Sequence, residues 1–223
     1  VSLGRTLGHD LSDRTHPSAG AVRRRHWQRV ALWLVLATMA YNVVEAGIAV
    51  TSGILAGSIA LVGFGLDSVI ELAAAGALLW RLMVEARGAD SEAVERSEHR
   101  VGRFIGATFL ALAAYVLVVA LLTLVTGDQP AESITGIVLA AASLAIMPLV
   151  AWGKLHAAAE IGSAALRAEA KETLACAYLS LALLLGLVAN AAAGLWWADP
   201  AAALLMVPWL VREGLEGLHG EKE

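Results

Sequence analysis

Of 223 residues, 58% are hydrophobic and 16% charged; the mean hydropathy is +0.69 and the formal net charge is -4. The apolar residues stand in long blocks, which is a membrane composition and excludes an ordinary soluble core. No basic patch large enough for nucleic acid exists outside the expected membrane flanks, and the one cysteine excludes an internal disulfide framework and any CxxC zinc motif.

A hydrocarbon layer about 30 Å thick needs about 20 apolar helical residues, with every backbone group satisfied inside the helix. Six blocks meet that length, some only just, and predict an all-α polytopic membrane protein with six transmembrane helices. The expected spans are 27–53, 58–84, 104–127, 133–155, 172–195 and 201–218, the fifth reaching back toward residue 164 as one continuous helix. The organisation follows: a flexible N-terminal tail over 1–25, a six-helix transmembrane domain over 26–218 and a short C-terminal tail over 219–223.

The tail mixes Gly, Ser, Pro and His without apolar periodicity. The first block is too long for a signal peptide, lacks a small-residue cleavage site and is followed by further spans, so it is expected to stay in the mature protein. It carries Asn42 and Glu45. A carboxylate at membrane depth points to a proton path or to support of a nearby ligand, and the alternative is an outward-facing carboxylate at the interface.

The second span holds Asp67 and Glu71, four residues apart and therefore on one helix face. An ionised side chain near the bilayer centre costs at least about 2.5 to 3.5 kcal/mol, so each needs a partner, a proton or a metal. Two such carboxylates repel when both are charged, and the pair relaxes by sharing a proton or binding a cation. The structural alternative is hydrogen bonding to neighbouring helices. The following loop contains Glu92, Glu95, Glu98 and His99, an acidic run that either recruits cations or is a solvated face. His156 is read as a second loop histidine.

The fifth span supplies Glu172 and Cys176, again on one face. Three carboxylates and one thiolate give the four donors of a tetrahedral Zn²⁺ site, and the sulfur turns preference away from Mg²⁺ and Ca²⁺. Alone in an Ala/Leu helix, Cys176 would otherwise be a small hydrophobe. Lys171 is expected to snorkel to the headgroups, and Glu169 to lie near Arg167 or the loop as a reserve ligand or gate. Asn190 reads as helix-to-helix glue, and Pro148 and Pro208 as kinks inside their spans.

Positive charge sets the orientation. Arg23, Arg24, Arg25 and Arg29 precede the first span, Arg81, Arg87, Arg96, Arg100 and Arg103 flank the second loop, and Lys154, Arg167 and Lys171 flank the fourth. The opposite turns carry no Lys or Arg, while Arg212 and Lys222 follow or close the sixth span. The positive-inside rule therefore puts both termini in the cytoplasm of a cell whose inner membrane the chain crosses.

The run from Ala56 to Glu71, beginning Gly57-Ser58-Ile59-Ala60-Leu61, resembles the second span of cation diffusion facilitators, in which a "GSxAL" start leads to two ligands four residues apart. Asp67 and Glu71 fall on those positions. The segment Arg167-Ala168-Glu169 through Cys176 is similar to that family's fifth span, where an "RAD" start precedes the other two ligands, matched here by Glu172 and Cys176. Asp199-Pro200 opens the sixth span as the family commonly does, proline in a helix's first turn losing no hydrogen bond. The usual His/Asp set is replaced by Asp, Glu, Glu and Cys, and with so few residues after Leu218 the family's cytoplasmic metal-binding domain is expected to be missing.

The resemblance implies an exporter of divalent transition metal working as a proton antiporter by alternating access, a homodimer in the lipid bilayer with metal ions and protons as its partners and no prosthetic group. Zn²⁺ is the first expectation on donor type, with Co²⁺, Cd²⁺ and Fe²⁺ next and Mn²⁺ least suited to the thiol. Another reading is a membrane subunit that binds metal and moves none. A membrane hydrolase fits worst: no GxSxG is present, no histidine is expected within a span, and four protein ligands leave no open coordination position.

Overall fold

The computed structural model describes the backbone of residues 19–86 and 91–219 and the side chains of 22–80, 102–163 and 165–219. Among these residues there are six helices: α1 (Ala19–Ala56), α2 (Ile59–Ala86), α3 (Ser91–Thr126), α4 (Ile134–Ile161), α5 (Ala164–Ala193) and α6 (Ala198–His219). Segments 1–18 and 220–223 lie outside the described residues, as do the side chains of Arg81, Arg87, Arg96, Arg100, Glu92, Glu95, Glu98 and His99. Helix α1 reaches back into the segment read as a tail, where Ala19, Ala21 and the good helix formers Arg23, Arg24 and Arg25 lead into the apolar block.

Five of the described helices, α1 to α5, are long and apolar enough to cross a membrane, and the chain is a multi-pass membrane protein. Helix α6 falls short of that composition, since Asp199 stands in its first turn and Arg212, Glu213 and Glu216 in its second half. Trp33, Leu55, Phe104, Val125, Leu149 and Trp152 are exposed on the outer surface, as lipid contact requires.

Local chemistry ends the helices where the sequence breaks. Gly162 (φ 70°) and Gly194 (φ 63°) adopt the left-handed conformation that only glycine takes cheaply, and their amides close the last turns of α4 and α5. Ser133 and Ser163 then cap α4 and α5, each side chain accepting an amide from the first turn. Gly162 and Ser163 alone join α4 to α5.

Contacts fix the two ends of the bundle. At one end Arg23 pairs with Glu160 at 2.6 Å, and Gly102 and Gly106 lie against Gly217. At the other, the Ala131 amide donates to the Ala56 carbonyl at 2.7 Å and Asn190 Nδ2 donates to the Pro130 carbonyl at 3.0 Å. Asn190 thus ties α5 to the turn before α4. The crossing of α3 on α6 is backbone to backbone: a Cβ on Gly106 would sit 2.7 Å from the Gly214 carbonyl oxygen and 2.8 Å from the Leu218 amide.

Helices α2 and α5 are the inner ones. Of their most apolar spans 56% is buried, against 28 to 33% for α1, α3 and α4, so their polar residues face protein and not lipid. Phe64, Val116, Met147, Leu183 and Leu210 form the apolar core around them.

Candidate functional site

The i, i+4 pairs of α2 and α5 meet at this inner interface. Asp67 and Cys176 are buried, Glu71 and Glu172 partly so. Asp67 lies within electrostatic range of Glu172, and Glu71 within range of Asp67, Glu172 and Cys176. All four expected ligands therefore belong to one electrostatic cluster. Among the described residues, no group of three or more His, Cys, Asp or Glu side chains converges to metal-ligand distance. The quartet is assembled as neighbours and not closed around a point.

Helix α1 supports it from behind. Asn42 Nδ2 donates to Glu71 Oε2 at 3.0 Å. Glu45 is fully buried and accepts hydroxyl hydrogen bonds from Ser68 of α2 at 2.8 Å and from Ser143 of α4, while the Cys176 thiol points at it from 3.9 Å. Tyr41 is bonded to Ser143 at 2.7 Å, extending the network by one member. The outward-facing interfacial alternative for Glu45 does not hold: the residue is buried, where hydroxyls from α2 and α4 and the thiol from α5 satisfy it.

Glu169 sits elsewhere than expected. It forms a buried ion pair with Lys154 of α4, Nζ to Oε1 at 2.7 Å, instead of lying near Arg167 or the loop, and Nζ also donates to Thr173 Oγ1 at 2.9 Å. Lys154, read from sequence as a loop-flanking charge, is fully buried. The signal was present: Lys154 and Glu169 lie about two helical turns on either side of the Gly162-Ser163 break, so an antiparallel hairpin must bring them together. Lys171 is exposed, as a snorkelling lysine should be.

Further residues differ from the sequence reading, beginning with Glu92, Glu95, Glu98 and His99, expected in a loop, whose backbone belongs to α3. His156 is within α4, not in a loop, its ring 4.8 Å from that of Trp27 and stacked on Trp152. A histidine does therefore occur in a membrane-length helix, close to its end and away from the quartet. Asp199 does more than open α6: fully buried, it accepts the Ser58 hydroxyl at 2.5 Å and the Ile59 amide at 3.0 Å, capping α2 from across the bundle.

A small cavity opens between α1, α2 and α5, lined in part by Asn42, Glu71, Glu169, Glu172 and Thr173. Along α5 the order is Glu169, Glu172, Cys176, a column of acid and thiol groups about 10 Å long at 1.5 Å per residue.

Residues 35–217 match the cation efflux transmembrane domain family. An uncharacterized transporter of Synechocystis sp. is 28% identical over 153 residues, which are 67% of this chain and 49% of that protein. The chain thus spans about half the length of the curated relative it matches.

Proposed function

The chain belongs to the cation efflux transmembrane domain family, and on that footing we propose that it carries a divalent transition-metal ion across the membrane, out of the cytoplasm and in exchange for protons. Asp67, Glu71, Glu172 and Cys176 are the ligands in this reading. The observation that carries it is the meeting of two i, i+4 pairs on the two inner helices, with one thiol among three carboxylates. Zn²⁺ suits these donors best, followed by Co²⁺, Cd²⁺ and Fe²⁺.

The chemistry of exchange follows from the ligands. Facing the cytoplasm, an arriving ion displaces protons from the carboxyls and the thiol as it binds. Facing outward, protons return to the same atoms and the ion leaves, because a protonated carboxyl or thiol cannot hold it. The quartet's unconverged geometry fits a site that closes only around its ion, with α2 and α5 approaching until the four donors reach one point. Glu45, hydrogen-bonded to two serines and beside Cys176, is placed to accept or return a proton at the thiol, and Asn42 to orient Glu71.

The working form in this reading is a homodimer in the inner membrane, with the end that bears Arg23, Arg167, Lys171 and Arg212 in the cytoplasm. Metal-dependent proton flux in proteoliposomes tests the proposal, over a panel of divalent ions, for the parent and Asp67→Ala. Proton movement driven by Zn²⁺ in the parent and lost in the variant is expected. Binding without flux would instead favour a metal-holding membrane subunit, and flux unchanged by Asp67→Ala would refute the ligand assignment.

A further inference from the structure

Two residues that line the cavity beside the quartet carry a buried oxygen with no protein hydrogen-bond partner among the described residues: Asn42 Oδ1 and Glu169 Oε2, on residues only 3% and 7% exposed. Both residues line the cavity, together with Glu71, Glu172 and Thr173. Asn42 Nδ2 donates to Glu71, the orientation that an ionised Glu71 requires, and Oδ1 then faces no protein donor among the described residues. Buried acceptors left bare are rare, and each marks a place where something positive or protic belongs.

The same carboxylate already holds one cation. Lys154 Nζ occupies Glu169 Oε1 at 2.7 Å and Thr173 Oγ1 at 2.9 Å, leaving Oε2 for another. Lys154 is also within electrostatic range of Glu71. A buried ammonium at the rim of an acidic column repels an approaching cation and, in that cation's absence, neutralises part of the column.

We infer that this cavity is a second, transient position for a divalent cation, held by Asn42 Oδ1 and Glu169 Oε2, with Lys154 as a competing cation built into the fold. The inference rests on the reading that the quartet is the carrying site. Oxygen donors dominate the lining, with the Met39 thioether beside them, and among the described residues no three His, Cys, Asp or Glu side chains converge to bare-ion distance, so the ion keeps part of its water. Glu71 and Glu172 line this cavity and also belong to the quartet, giving the ion a continuous oxygen path toward Cys176. Discrimination by softness then belongs mainly to the thiolate deeper in the bundle, a neutral thioether such as that of Met39 being a weaker ligand than a thiolate.

The test is equilibrium binding of Zn²⁺ alone to the full chain in lipid nanodiscs. The parent is expected to bind one tight and one weak ion. Lys154→Met should tighten the weak ion at least about tenfold, because no ammonium has to be opposed. The double variant Lys154→Met/Glu169→Gln removes both charges of the pair, which avoids an unpaired buried charge, and should lose the weak ion while keeping the tight one. Asp67→Asn should lose the tight ion and keep the weak one. A parent that binds a single ion, a double variant with both parental affinities, or a Lys154→Met variant with the weak affinity unchanged would overturn the inference. A tight ion that survives Asp67→Asn, with the weak ion lost in the double variant, would sink the carrying-site reading and support the cavity.

Discussion

Asn42 of α1 donates a 3.0 Å hydrogen bond to Glu71 of α2, so one of the expected ligands is oriented by a residue on a different helix. Partners of this kind fix the direction of a ligand's lone pairs and typically govern metal affinity by about 10- to 100-fold. Asn42→Leu is expected to weaken Zn²⁺ binding within that range while leaving the fold intact, measured by competition with a metal indicator. Parental affinity in Asn42→Leu would show that Glu71 needs no such partner.

Proton release gives a second expectation. Carboxyl and thiol ligands bind metal only after losing their protons, so affinity should rise with pH and fall as the solution is acidified. Each proton displaced on binding contributes about a tenfold change per pH unit where the ligand is protonated, so Zn²⁺ titrations between about pH 6 and 8 should show a steep dependence. Replacing the thiol in Cys176→Ser should flatten the upper part of that profile. An affinity independent of pH would be incompatible with exchange of metal for protons at these atoms.

At the opposite end of the bundle the expectation concerns stability. Asp199 accepts the Ser58 hydroxyl and the Ile59 amide from inside the protein, and Asp199→Ala would leave both donors buried and unmet. The loss is expected at about 1 to 3 kcal/mol, read as a lowered thermal midpoint in detergent, with Asp199→Asn intermediate because its amide oxygen can still accept. An Asp199→Ala protein as stable as the parent would mean the cap is dispensable.

Much of this arrangement could be read directly from sequence, and the rest could not, for a physical reason. Asp67 with Glu71 and Glu172 with Cys176 are local pairs, and helical periodicity alone places each on one face. The Lys154–Glu169 pair was readable from the hairpin turn between them, but positive charge near a loop is so regularly a topology signal that it masked the buried role. Glu45 depends on Ser143, 98 residues away, and Asp199 on Ser58, 141 residues away. No periodicity reports such partners, because packing of whole helices creates them. The sixth helix stood out as borderline for the same reason it is distinctive in the fold: it seats Asp199 at one end and charged residues at the other.

The α3–α6 crossing yields a prediction independent of metal. A methyl group on Gly106 would meet the α6 backbone at 2.7 to 2.9 Å, and backbone cannot rotate aside as a side chain can. Gly106→Ala should therefore force the helices apart and cost about 1 to 3 kcal/mol, with Gly106→Val worse. Chemical denaturation in mixed micelles checks this, and unchanged midpoints for both variants would contradict the close crossing.

In the proposed function one ion is held jointly by α2 and α5, through three carboxylates and the thiol of Cys176. X-ray absorption at the zinc edge on the loaded protein tests it most directly, since Cys176 is the chain's single cysteine. One sulfur at about 2.3 Å and oxygens at about 2.0 to 2.2 Å are predicted, with the sulfur lost in Cys176→Ser. A shell of light atoms only, identical in parent and Cys176→Ser, would contradict the account.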